Sequence, residues 1–315
     1  MTELAQTPAP TAPDALPLGP DSLVWKYFGD RRIALIGPRP AVLQNMLAEL
    51  GQGVVDHSVF FADTAARIRR SLPPIYRTVY GSEEENAGGM VRDFHKNIKG
   101  EMPEEFGGHR YHALDPETYY WAHATFFDQV LYFTDTFVRR LSRAEKEQMY
   151  LESKTWYRRY GVSDRPVPAT YREFRHRFDE ICRHELELTP AVQWVLDQST
   201  NPAATADPVR LPGMWSVLDG LVTNLGTETL RLLVYGPMPD VVRRRFDLPW
   251  SHSDRVAFTA LCATIRAMDP AIRRGALDAI YPEGTPHPDR RDPTRLVVAG
   301  PNRRQRALAA ARSAA

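Results

Sequence analysis

The stretch PETYYWAHATFFDQVLYFTDTFVRR (residues 116–140), followed by SRAEKEQMYLESKTWYRRYG (142–161), decides the fold. Asp115 precedes Pro116 and Glu117, which gives a capping carboxylate, a proline in the first turn and then an acid, the signature of a helix start. Ser142 and Glu145 form a Ser-x-x-Glu capping box, and Gly161 stands where a helix C-terminus favours glycine. Two long helices therefore follow one another with almost no connection. Working outward, residues 39–50 place Val42, Leu43, Met46, Leu47 and Leu50 on one helical face. Helical periodicity recurs over 60–80 (with a break expected near Pro73 and Pro74), 88–99, 170–185, 189–198, 212–235, 251–268 and 271–280. Ser251 with Asp254 resembles a further capping box. Period-2 alternation is confined to a short RLVVAG at 295–300, and no repeat is visible. Many helices joined by short loops imply an all-α fold.

The chain has 315 residues, 43% of them hydrophobic and 25% charged, with 40 basic and 39 acidic side chains. A net charge of +1 gives no global field for nucleic acid or an anionic membrane. A body of this length buries roughly three quarters of its unfolded surface, enough for a buried cofactor. The two cysteines, Cys182 and Cys262, are too far apart for a cysteine metal motif and suit a reducing, cytoplasmic setting. Residues 1–20 are rich in Pro, Ala and Thr and read as a disordered arm without signal-peptide character. Residues 285–315 read as a C-terminal tail, leaving a folded body at 21–284. No apolar run approaches the roughly 20 residues of a membrane helix.

The chain lacks a dinucleotide fingerprint, a P-loop and a nucleophile elbow. HELEL at 184–188 has no second histidine for a zinc-protease helix. Only one histidine, His176, follows a glutamate (Glu173) by three residues, whereas a ferritin-like di-iron centre needs two such pairs, which argues against that centre. Of the nine histidines, His109, His112, His252 and His287 lie in loop or helix-start contexts, His176 and His184 on a charged helix face, and His57 at a turn.

Two histidines differ. His95, in GGMVRDFHKNIKG (88–100), shares a helical side with Val91, Phe94 and Ile98, with Arg92 three residues before it and Lys99 four after. An imidazole on an apolar face between cations suits an iron ligand whose cofactor carries carboxylates. The plainer alternative is a core histidine bonded to a backbone carbonyl. His123, in YYWAHATFF (119–127), has aromatic neighbours and needs a partner if buried. It can be a second metal ligand, a distal acid/base or a structural donor. In ARIRRS (66–71), Arg67, Arg70 and Ser71 share one helix face. A solvated basic face is the plain reading of that group.

Together the segments at 25–44, 51–60 with Arg67, Arg70 and Ser71, 91–100, 119–127, 141–162 and 167–174 resemble the MpaB/rubber-oxygenase (latex-clearing protein) family. The likeness covers residues 21–200 and continues more weakly to about 280. It implies a single multi-helix, globin-like domain holding a haem b, with His95 at the position of the proximal iron ligand. Arg67, Arg70 and Ser71 fall where the latex-clearing branch has Arg-x-x-Lys-Thr. Arginine at 70 offers donors only and cannot ligate iron as a neutral lysine can. His123 belongs to a Trp-x-His segment of the MpaB-like branch, as an alternative axial ligand or acid/base. The resemblance implies a haem-dependent oxygenase or peroxygenase-like enzyme acting on an apolar, isoprenoid or lipid-like small molecule. An electron donor or peroxide is its co-reactant. His95 would set the iron's electronics, Arg67 and Arg70 would stabilise negative charge on oxygen, Ser71 would orient a water or oxygen species, and Arg92 and Lys99 would pair with haem propionates. Two rival readings are a non-haem iron site shared by His95 and His123 and a haem- or ligand-binding protein without turnover.

Overall fold

The computed structural model describes residues 14–58, 64–200 and 228–269; within these, the side chains of Arg31, 64–66, 68–70 and 198–200 are not described. The expected helix at 271–280, the strand at 295–300 and the tail at 285–315 lie outside the described residues.

Helix α6 (Pro116–Phe133) organises the molecule. Its Tyr119, Tyr120, Trp121, His123, Phe127, Asp128, Val130 and Phe133 are all buried, and beyond Glu117 in the first turn none of its residues is exposed. A helix apolar around its circumference has to sit inside its domain. Asp115 caps it through the amides of Glu117 and Thr118, as the sequence predicts. It ends in a π-helical turn, Thr134–Val138, whose Asp135 and Thr136 carbonyls accept from the Arg266 guanidinium. Around it lie α1 (Leu23–Phe28), α2 (Pro38–Asn45) and α7 (Arg143–Arg158), with a 3-10 helix at Arg31–Ile36. The capping box of Ser142 and Glu145 opens α7, and Gly161 follows it at φ +65, the left-handed value that glycine tolerates.

An outer shell consists of α3 (Ala48–His57), α4 (Thr64–Tyr80), α5 (Ala87–Phe94), α8 (Tyr171–His184), α9 (Pro190–Thr200), the helical residues 228–235 (α10), α11 (Asp240–Arg245) and α12 (His252–Ala267). Helices dominate the described chain. One antiparallel pair, β1 (Lys99–Glu101) and β2 (Arg110–His112), sets Gly100 opposite Tyr111. Asp14–Pro20, the described part of the arm, runs along α7: the Leu16 amide donates to Leu151 at 3.1 Å, and the Lys154 amine to Asp14 at 2.6 Å.

Several boundaries differ from expectation. The helix expected over 39–50 breaks at Met46–Leu47, because Leu47 pairs with Leu186 in an isolated β-bridge and the Glu187 amide takes the Met46 carbonyl. α4 runs unbroken through Pro73 and Pro74. The helix expected over 88–99 stops at Phe94, because the chain turns into β1 and the Ile98 carbonyl is taken by the Ala113 amide at 2.9 Å. Lys99 therefore sits on a strand, and its expected position one helical turn beyond His95 does not hold.

Polar groups on α6 are satisfied by neighbouring helices. The Trp121 indole donates to the Leu43 carbonyl at 2.9 Å, and the Gln129 amide to Ile33 at 3.2 Å. Asp128 accepts from Arg39 at 2.5 and 2.9 Å and from Arg175 at 2.8 Å, which ties α2 and α8 to the central helix. Arg39 and Asp128 are almost wholly buried, so each charge requires the other. Asp128→Ala is expected to lower unfolding free energy by about 3–5 kcal/mol, since it leaves Arg39 buried without a counter-ion. Urea denaturation of the two proteins measures this, and an unchanged midpoint would refute it.

Candidate functional site

Helix α5 owes its position to Gly88. A Cβ there would lie 2.1 Å from the Arg159 carbonyl oxygen, so only glycine lets α5 rest on the C-terminal end of α7. The helix turns Val91 inward and leaves Met90 and Phe94 outward, 45% and 71% exposed. His95 is its C-cap, half-buried on the Val91 side.

The His95 Nδ1 lies 2.7 Å from the Val91 carbonyl. A carbonyl only accepts, so Nδ1 carries the proton and Nε2 keeps the lone pair. The Tyr119 ring meets the imidazole edge-on with centroids 5.8 Å apart. Burial lowers the His95 pKa, and the positive charge of Arg67 lowers it further against the opposing effect of the Val91 bond. The imidazole is therefore neutral at physiological pH.

Of the group at 66–71, the structure brings Arg67 close enough to His95 for its charge to act there, through the packing of α4 on α5. Ser71 is half-buried one turn further along α4, and the Arg70 side chain lies outside the described residues. Arg92 donates to Asp93 at 2.9 Å and reaches the Gly161 carbonyl at 3.5 Å. Lys99 is exposed on the hairpin, where its carbonyl meets the His57 Nε2 at 3.1 Å.

His123 occupies a different environment. It is buried among Trp156, Tyr157, Tyr120 and Tyr160, with ring centroids 4.8, 5.1, 6.1 and 6.1 Å away. Its ring bonds to the Ser153 backbone, while among the described residues Nδ1 has no partner and the Tyr119 hydroxyl also lacks one. Burial pushes the His123 pKa down to about 3. The path from His95 to His123 runs through two rings, Tyr119 and then Tyr160, 5.5 Å apart. This geometry does not support an iron shared by the two imidazoles. Among the described residues no cluster of three His, Cys, Asp or Glu side chains can hold a metal. A surface cleft of about 520 Å³, lined by Glu49, Glu105, Phe106, Glu185 and Glu187, involves neither histidine.

His176, His184 and His252 are exposed, His109 pairs with Glu49 at 3.1 Å, and His112 accepts from the Leu114 amide; His287 lies outside the described residues. Sequence reasoning missed Tyr119, Tyr160 and Trp156 as the wall joining the two histidines. The four-residue spacing of Val91 and His95 was a readable signal for the carbonyl bond, whereas the contact of Tyr119 with His95 comes only from packing α5 against α6.

The buried imidazole has a consequence for stability. An unfolded chain protonates His123 near pH 6.5, whereas the folded protein resists down to about pH 3. The penalty is absent above pH 6.5 and grows by about 1.4 kcal/mol per pH unit as the pH falls below it. The stability difference between wild type and His123→Phe, measured by urea unfolding at pH 7 and pH 4.5, should shift by about 2–3 kcal/mol in favour of the variant at the lower pH. A difference independent of pH would show that His123 is not held neutral.

Comparison with known proteins agrees with this helical frame. A family model described as "ER-bound oxygenase mpaB/B'/Rubber oxygenase, catalytic domain" matches residues 25–267. That span runs from α1 to the last residue of α12 and includes both His95 and His123. No curated protein and no solved structure gives a match. No helix among the described residues is long and apolar enough to cross a membrane. The chain belongs to the mpaB/rubber-oxygenase catalytic-domain family, and the class of activity that this membership carries is that of an oxygenase.

Proposed function

We propose that this protein is a haem b-dependent oxygenase or peroxygenase acting on an apolar small molecule, with His95 as the iron ligand in a helical, globin-like setting. The observation that carries the reading is the 2.7 Å bond between His95 Nδ1 and the Val91 carbonyl. The plain interpretation of His95 as a carbonyl-bonded core histidine anticipates the same bond. The two readings differ in what happens at Nε2. A ligating imidazole uses one nitrogen to fix its orientation and the other to bind metal. Here the first nitrogen is engaged, the ring is neutral and Nε2 retains its lone pair.

The neighbouring residues fit this assignment. Met90 and Phe94 expose apolar surface one turn apart on the outward side of the helix that His95 caps, suited to contact with an apolar group. Arg67 brings a permanent positive charge to the same place, and its guanidinium can only donate hydrogen bonds. Its role in this reading is to stabilise negative charge developing on oxygen. Ser71 follows on the same helix and orients a water or oxygen species, with Arg70 beside it. Arg92 and Lys99 are the cations available for propionates, and Arg92 would exchange its Asp93 partner for one. When bound, haem would supply the redox chemistry with dioxygen or peroxide, while the protein supplies geometry, charge and exclusion of water. His123, behind Tyr119 and Tyr160, acts on the site only through those rings.

The test is reconstitution of the full chain with hemin. Wild type should develop a Soret band that His95→Ala loses, and the loss should be restored by free imidazole, which supplies the missing nitrogen. A Soret band identical in wild type and His95→Ala would remove His95 from the iron. Absence of any band in a folded wild-type protein would remove haem.

A further inference from the structure

The rings between His95 and His123 do not end there. From His95, Tyr119 stands 5.8 Å away and Tyr160 a further 5.5 Å. The Tyr160 hydroxyl lies within interaction distance of Trp156 and Thr78. Beyond Trp156, Phe28 lies at 4.9 Å, Tyr80 at 6.1 Å from Phe28, and Trp25 at 4.7 Å from Tyr80. Tyr76, half-buried, lies 4.9 Å from Phe28 and offers a second branch towards solvent. Aromatic clusters are ordinary core material. This one is unusual in its oxidisable tyrosine and tryptophan rings, which lead from the candidate oxygenase site into the core and continue beyond the spacer Phe28.

We propose that Tyr119, Tyr160 and Trp156 form a relay that drains oxidising equivalents from the His95 site when no substrate is present, with Trp156 as the resting place of the electron hole and the half-buried Tyr76 as its exit. The origin of the oxidant rests on the haem reading above; the relay rests on the ring geometry alone.

The local chemistry selects Trp156. A phenol that loses an electron must also release its proton, and among the described residues the Tyr119 hydroxyl has no hydrogen-bond acceptor to take it. Tyr119 therefore serves as a bridge and does not hold the hole. An indole can lose an electron and keep its N–H. The Trp156 Nε1 proton is held at 2.7 Å by Thr78 Oγ1, which itself donates to the Ile75 carbonyl at 2.6 Å. The imidazole of His123 packs edge-on at 4.8 Å and is uncharged, so it does not oppose a positive hole on the indole, and the Arg159 guanidinium nearby is tied to the Thr78 and Val79 carbonyls.

With hydrogen peroxide as oxidant and ascorbate as the external donor the reaction balances. Each ascorbate monoanion gives one electron and one proton and becomes its radical. Two of them supply the two electrons that break the peroxide O–O bond and the two protons that complete two waters. Electrons tunnel inward past Phe28 to restore Trp156, and from Trp156 across the Tyr160 and Tyr119 bridge to the His95 side, so neither Phe28 nor Tyr119 is itself oxidised and no proton leaves the buried core.

The experiment places an oxidant at position 95 without any porphyrin. His95→Cys in the full chain is alkylated with a ruthenium polypyridyl photo-oxidant; Cys182 and Cys262 are buried, and burial pushes both thiols up to about 12, so they do not compete. After flash-quench with a cobalt(III) acceptor, transient absorption should show an indole radical forming as the oxidised ruthenium decays. Trp156→Phe should lose that signal. Tyr119→Leu, which interrupts the bridge and keeps the trap, should lose it too. The relay is overturned if labelled, folded protein (checked by circular dichroism) forms no indole radical, or if a folded member of the variant pair forms it at the unaltered rate. None of these outcomes depends on hemin binding, so failure of the relay and failure of the haem reading are read separately.

Discussion

Burial of helix α6 on every side is the constraint on which the rest of the structure depends. A helix with no exposed residue beyond its first turn must settle each polar group it carries there inside the protein. Asp128 does so by holding Arg39 and Arg175, which fixes α2 and α8. Trp121 and Gln129 do so through carbonyls of the chain between Ile33 and Leu43. His123 does so only by half, through the Ser153 backbone, and its Nδ1 has no partner among the described residues.

The candidate site lies against the first turn of this helix. Tyr119 is buried because α6 is central, and His95 reaches it because Gly88 lets α5 approach the end of α7. The carbonyl of Val91 selects the His95 tautomer, and burial together with the charge of Arg67 keeps that tautomer neutral. Three separate elements, α4, α5 and α6, thus define one imidazole. Apolar burial and backbone geometry set its chemistry, without a carboxylate partner. The same burial holds His123 neutral a few rings away, so one physical cause acts at two histidines with different surroundings.

Much of the helical frame was legible. Asp115, the Ser142–Glu145 box, the Ser251–Asp254 box and Gly161 all cap as their types and spacings indicate, because capping is a local bargain between a side chain and amides three residues away. The misjudged boundaries share a cause. The ends of α2 and α5 are set by partners remote in sequence, Leu186 and the β2 strand, and helical periodicity carries no record of them. The proline pair was read as a break, although α4 continues through it.

The sequence by itself determined the helical class, the caps, the family and the singling-out of His95, His123 and the arginine group, because each depends on residue type and short spacing. Only the tertiary structure decided that Arg67 acts on His95, that Arg92 turns to Asp93 and that Lys99 departs on a strand. It also decided that tyrosine rings connect the two histidines. Those outcomes follow from which helices meet, and that is set by burying the whole circumference of α6, a condition on all its neighbours at once that no local window of sequence contains.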